Sequence, residues 1–181
     1  MLAGLWLATS PVADLIYCGQ TSSWEYCTIF QIIAYTEGMK PNIYLDIDGV
    51  LLANDLNAAN HANEFLRYVL NEYPETTYWL TTHCNGDASV PIAHVGHLFE
   101  PDVQELMKRI KPTSWETAKT RGIDFTLPFL WFDDDLFYEE KETLLAHDVM
   151  DNWIQVSLEK DPDQLAKFIA SFPLPSEPKS L

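Results

Sequence analysis

Positive charge is scarce in this chain: 11 Lys and Arg stand against 27 Asp and Glu among 181 residues, for a formal net charge of −16. Every basic residue lies at or after Lys40. Such a polyanion repels bare nucleic acid and anionic membrane at long range, so long nucleic acid is an unfavourable partner. A locally cationic or metal-bridged phosphate site stays open. Cysteine is scarce too. Cys18, Cys27 and Cys84 leave one thiol unpaired and show no C-x-x-C spacing. Neither a disulfide scaffold nor a structural zinc site is indicated. No apolar run approaches the ~18–20 residues of a membrane-spanning helix, and no internal repeat is visible. What the chain does have is apolar matter, 47% of its residues with 13% aromatic, enough to build a core. The expectation is one domain of ordinary size, cytoplasmic, with no membrane partner.

The stretch 1–38 differs from the rest. Its opening is apolar but short, and the positive n-region of a signal peptide is missing. Met39-Lys-Pro leads directly onto the first strong strand, so residues 1–38 read as an N-terminal extension, either an upstream-start artefact or a loosely docked segment. The domain proper is expected over 39–172, with a proline-rich flexible tail over 173–181.

From Met39 onward, strands and helices alternate. Asn42 to Asp46 is a short apolar run ending in acid, a buried strand. His61 to Tyr73 places Ala62, Phe65, Leu66, Val69 and Leu70 on one helical face, with Asn60 as candidate cap. Thr76 to Leu80 is β-branched and aromatic and predicts the next strand. Pro101 suits a first helical position, and Val103, Leu106, Met107 and Ile110 form the stripe behind it. Pro128 to Phe132 predicts a third strand, Glu139 to His147 a helix, Trp153 to Leu158 a strand and Asp163 to Phe172 a closing helix. The pattern predicts an α/β fold, a Rossmann-like three-layer sandwich with a mostly parallel sheet. In such sheets ligands bind beyond the carboxyl ends of the strands.

Three of these strands run into a residue able to handle phosphate or metal: Asp46, Thr81 and Asp133. Asp46-Ile-Asp48-Gly49 sets two carboxylates two residues apart, with glycine to turn the chain. A carboxylate can accept a phosphoryl group as an acyl-phosphate while the second acts as acid and base. A calcium loop wants its glycine at the sixth position and a helix before it; here glycine is fourth and a strand precedes. An ordinary Asx-turn stays the plain alternative. Asp133-Asp134-Asp135 would repel one another without a cation, and hard oxygen ligands favour Mg²⁺; a solvated acidic turn is the competing reading.

Thr81 has a hydroxyl for a phosphate oxygen, with Thr82 its close rival. Lys119 is the candidate charge-balancing lysine, against Lys108, Arg109 and Lys111. His83 and Cys84 lack the spaced partners of a zinc site and read as structural or incidental, at most lining the pocket. His94 and His97 fall in a stretch that Pro91 and Gly96 make look like a loop, and Trp115 and Trp131 read as core or as a shield for the site.

Read in order, Asp-x-Asp-Gly-Val-Leu, a strand ending in Thr, a Lys and a strand ending in Asp-Asp resemble the haloacid dehalogenase (HAD) superfamily. The match runs from Asn42 to about Asp135, and Trp-Leu-Thr-Thr, Lys-Pro-Thr-Ser-Trp and Phe-Leu-Trp-Phe-Asp-Asp look like those of small bacterial HAD-domain proteins. Receiver domains use similar residues, but their acidic pair comes first, whereas here it comes last. The resemblance implies a Mg²⁺-dependent phosphohydrolase working through an aspartyl-phosphate. Asp46 would be nucleophile and metal ligand, and Asp48 acid/base as well as a metal ligand through its main-chain carbonyl. Thr81, with Thr82 as neighbour, and Lys119 would bind phosphate, and Asp133 with Asp134 would hold Mg²⁺; register leaves Asp134 or Asp135 as the second ligand. The intervals from Asp48 to Thr81 and from Thr82 to Lys119 leave no room for a cap domain. An open site suits a bulky phosphate monoester or a macromolecular end-phosphate. A HAD-like module that recognises a phosphorylated partner without turnover is the alternative.

Overall fold

Asn42-Ile-Tyr-Leu forms β1 (Asn42–Leu45), buried at all four positions. A strand buried on both faces belongs at the centre of a parallel sheet. A computed structural model describes residues 40–54 and 57–171 of the chain, so the expected extension and tail lie outside the described residues. After β1 come β2 (Leu52–Asn54), β3 (Asn57–Ala58), α1 (Ala62–Glu72), β4 (Thr77–Trp79), α2 (Ser89–Val95) and α3 (Pro101–Met107). β5 (Phe129–Asp133), α4 (Tyr138–Ala146), β6 (Trp153–Gln155) and α5 (Gln164–Ser171) complete the described elements, with short 3₁₀ turns at Gly96–Leu98, Lys119–Gly122 and Met150–Asn152.

The main sheet has the order β4-β1-β5-β6, and every neighbouring pair is parallel. All four strands therefore end on one edge. Alternation along the strands separates two cores. Ile43, Leu45, Leu130 and Phe132 face one side, with Phe65, Leu66, Val103 and Phe168. Tyr44, Phe129 and Trp131 face the other, with Leu144 of α4. Helices thus cover both faces, the α/β arrangement expected from the alternating pattern. Phe65 meets Phe132 edge-on with ring centroids 5.3 Å apart, and burial of such a side chain contributes roughly 1.5–3 kcal/mol.

Several local expectations need correction. Asn60 does not cap α1: its side-chain amide donates to Asp163 at 3.1 Å, and His61, at φ 62°, occupies the N-cap without a side-chain cap bond. The stretch around Pro91 is not a loop. It forms α2, where Pro91 sits in the first turn and its missing N–H breaks no internal bond. The fourth strand stops at Gln155 rather than Leu158, because Ser157 N–H turns to the Gln164 side chain at 2.6 Å and leaves the ladder. The antiparallel pair β2–β3 was not anticipated; two- and three-residue strands are too short to show a period.

Candidate functional site

In the strand order β4-β1-β5-β6, the chain leaves β1 towards β4 on one side and later returns to β5 on the other. That reversal opens a crevice at the carboxyl ends of β1 and β5, where open α/β sheets bind ligands. Leu45 pairs with Phe132 and with Trp79. The residues just beyond those partners are Asp46, Asp133 and, one step further, Thr81. All three are buried, with 5%, 1% and 0% of their surface exposed.

Lys119 joins them from the 3₁₀ turn after α3. Its Nζ lies 2.6 Å from Asp133 Oδ2 and 3.1 Å from Asp46 Oδ2. The rival cations are elsewhere. Lys108 pairs with Glu105, Lys111 donates to the Glu75 carbonyl, and Arg109 is exposed in the turn that follows α3. Trp131 Nε1 donates to Asp133 Oδ2 at 3.0 Å, so this indole touches the site itself as well as packing the core. Trp115 packs against that second core.

The Lys119 main chain is anchored separately. Its N–H donates to Glu140 Oε1 at 2.8 Å, and the other oxygen of Glu140 accepts from Phe137 N–H at 3.1 Å. Glu140 is 2% exposed. One buried carboxylate therefore ties the start of α4 to the turn that carries the lysine.

The acidic set is now definite. Asp46, Asp133 and Asp134 each offer a carboxylate oxygen, and these oxygens all lie within 4.8 Å of one another. Asp134, although exposed, is the third member rather than Asp135. Asp135 points outward, its N–H donating to Asp133 Oδ1 at 3.3 Å and its own Oδ1 accepting from Leu136. Gly49 explains how Asp134 reaches this position. Its φ is +71°, and a Cβ there would stand 2.3 Å from Asp134 Cγ and Oδ2. The turn after β1 is tight as well, with the Ile47 carbonyl facing the N–H groups of Val50, Leu51 and Leu52. Only a residue without a side chain allows both the left-handed turn and the close approach.

Electrostatics follow from burial. Removal from water pushes the Asp46 carboxyl above its ordinary range, against the pull of Lys119, the Ile47 N–H and the Thr81 hydroxyl. Burial, then the neighbouring Asp46 charge, raises Asp133 to about 7. Asp134 moves up for the same two reasons. Burial alone would lower Lys119, but Asp46 and Asp133 together outweigh it and hold its ammonium above the usual lysine range. Asp46 and Asp133 thus share one buried ammonium, with the exposed Asp134 carboxyl beside them. Three hard oxygen donors gathered around one lysine fit a divalent cation.

Asp48 stands apart from this set. Its carboxylate is half-exposed and lies 2.9 Å, Oδ2 to Nε2, from His83. His83 in turn donates its main-chain N–H to Thr81 Oγ1 at 3.3 Å and stacks on the His94 ring at 4.1 Å. Reading His83 as incidental is therefore incomplete, since it contacts two of the candidate residues. The available signal was its place two residues beyond the strand-end threonine. Thr82 is exposed. Cys84 is buried, its thiol 3.5 Å from the Thr113 carbonyl, and serves the core. A cavity of about 280 Å³, lined among others by Asn42, Tyr44, Tyr78 and Arg121, includes none of these residues; Asn42 opens β1 at the opposite end of the strand.

Among the described residues no helix is long and apolar enough to cross a membrane. The chain matches no family model, no curated protein and no solved structure.

Proposed function

We propose that the protein is a Mg²⁺-dependent phosphohydrolase of the HAD type, acting on a phosphate monoester through an aspartyl-phosphate on Asp46. The observation that carries this reading is the buried Lys119 ammonium between Asp46 and Asp133, with Asp134 in the same cluster. Ordinary salt bridges pair one charge with one. Here two buried carboxyls share one ammonium and a third, exposed carboxyl stands beside them, so the cluster holds more acid than its lysine neutralises and a cation relieves that. The same crevice offers Thr81 as a hydroxyl donor and Asp48 as a half-exposed carboxyl facing solvent.

In the first step a carboxylate oxygen of Asp46 attacks phosphorus while the bond from phosphorus to the ester oxygen breaks. Asp48 gives its proton to that departing oxygen, and an alcohol leaves. In the second step Asp48, now ionised, takes a proton from water. The water oxygen bonds to phosphorus, the bond to Asp46 breaks, and inorganic phosphate departs. Thr81 donates its hydroxyl hydrogen to a phosphoryl oxygen, and Lys119 offsets the charge of Asp46 and the phosphoryl group. A divalent cation held by Asp46, Asp133 and Asp134, with the Asp48 main-chain carbonyl as a further donor, would supply charge neutralisation to the phosphoryl oxygens. Mg²⁺ is the ion favoured for that all-oxygen set.

The described residues between Asp48 and Thr81 form the β2–β3 pair, α1 and β4, and those between Thr82 and Lys119 form α2, α3 and a 3₁₀ turn. Those elements favour an open site and a bulky monoester or end-phosphate over a small enclosed metabolite. The test is hydrolysis of p-nitrophenyl phosphate by the full chain. Turnover is expected with Mg²⁺ and not with chelator or in Asp46→Asn. Inertness towards a broad ester panel would refute catalysis. A gain in thermal stability with beryllium fluoride and Mg²⁺ in an inert protein would instead identify a phosphoryl-recognition module.

A further inference from the structure

Resting on the phosphohydrolase reading, we infer that His83 is a positioning residue that holds the Asp48 carboxyl by one oxygen and leaves the other facing the ester's departing oxygen. Asp48 sits on the turn beyond β1, and its side chain is 51% exposed. Among the described residues, the His83 ring hydrogen-bonds that carboxylate, Nε2 to Oδ2 at 2.9 Å. A half-exposed aspartate without such a partner samples several rotamers, whereas proton donation needs the oxygen within hydrogen-bond reach of the leaving group.

The imidazole is itself held from two directions. His83 N–H donates to Thr81 Oγ1 at 3.3 Å, which sets the backbone beside the candidate phosphate-binding hydroxyl. The ring lies nearly parallel to that of His94 on α2, with centroids 4.1 Å apart and planes 22° from each other. The stack fixes the ring plane, and the plane fixes where Nε2 points. Oδ2 of Asp48 is thereby occupied. Oδ1 is the oxygen left to carry the proton for the leaving group and, later, to receive one from water.

Leaving-group dependence separates this role from a structural one. A p-nitrophenolate departs with little protonation, whereas an alkoxide needs a proton from Asp48 as the bond breaks. kcat/KM reports the transfer to Asp46 and not the later hydrolysis, which is common to both esters. General acid catalysis contributes roughly 10²–10⁴-fold. In His83→Ala, kcat/KM for an alkyl phosphate should therefore fall about tenfold or more, while that for p-nitrophenyl phosphate changes by less than about threefold. His83→Gln, whose amide keeps a donor at similar reach, should restore much of the alkyl-ester rate. His94→Ala, at an exposed helical position, should show a weaker loss of the same selective kind. Equal losses on the two esters, or none, would overturn the role of His83 while leaving the phosphohydrolase intact. A wild-type protein inert to both esters would overturn the phosphohydrolase, and His83's role with it.

Discussion

Replacing Lys119 with methionine removes the charged Nζ and keeps an unbranched stem only one atom shorter, so little cavity is created. The lysine is 8% exposed and contacts two buried carboxylates at 2.6 and 3.1 Å. Deleting one partner of a buried ion pair costs about 3–5 kcal/mol, because the other partner is left uncompensated. Here the cost must vary with pH. Asp46 and Asp133 are already raised by burial, Asp133 to about 7. Between the unfolded value and that raised one, the folded state holds a proton that the unfolded state has released. The stabilising contribution of that proton is complete below the unfolded value and fades as pH rises through about 7.

Without the lysine both carboxyls move higher still, and the decline extends further into alkaline conditions. The penalty of Lys119→Met should therefore be about 3–5 kcal/mol near pH 8 and shrink to about 1 kcal/mol near pH 5, where Asp133, raised to about 7, is protonated and needs no counter-ion. Urea unfolding of both proteins in chelator at the two pH values measures this. Adding Mg²⁺ near pH 8 should return part of the loss, since a divalent ion replaces the missing charge. A penalty that is the same at both pH values, or below about 1 kcal/mol at each, would refute the electrostatic reasoning.

Two further substitutions probe the supports of the cluster. Gly49→Ala forces a left-handed backbone on a residue with a Cβ, a cost of roughly 1–2 kcal/mol. It also drives that Cβ to 2.3 Å from Asp134, so the rise in melting temperature caused by Mg²⁺ should shrink in thermal scans, and an undiminished rise would contradict the packing. Glu140→Ala strips the acceptor from the Lys119 and Phe137 N–H groups and should cost about 1–3 kcal/mol in urea unfolding. Hydrogen exchange at the Lys119 amide should accelerate beyond what the stability loss explains, and unchanged relative protection would contradict that anchor.

The strand ends were legible because an apolar run that meets an acid marks the place where a buried strand reaches its edge. Asn42 to Asp46 and Phe129 to Asp133 both carry that mark, and their burial as adjacent parallel strands accords with it. Lys119 carried no such mark. Its place depends on Glu140, twenty-one residues later in the chain, and neither periodicity nor spacing links the two. Choosing between Asp134 and Asp135 was beyond sequence reasoning, because it turns on how Asp134 packs against Gly49. The pairing of His83 with Asp48, thirty-five residues apart, is likewise tertiary. Pro91 misled for a different reason: proline breaks helix interiors but suits first turns, and α2 is short enough that its start was not evident.

Chemical capture of the intermediate tests most directly whether Asp46 takes up phosphorus. Full-length protein turning over a phosphate monoester with Mg²⁺ would be quenched and treated with borohydride, which reduces an acyl-phosphate to an alcohol and leaves a free carboxylate untouched. Peptide mass mapping should then find homoserine at position 46, dependent on both substrate and metal. Phosphate release with aspartate unchanged at that position, or with the reduced residue elsewhere in the chain, would contradict nucleophilic attack by Asp46.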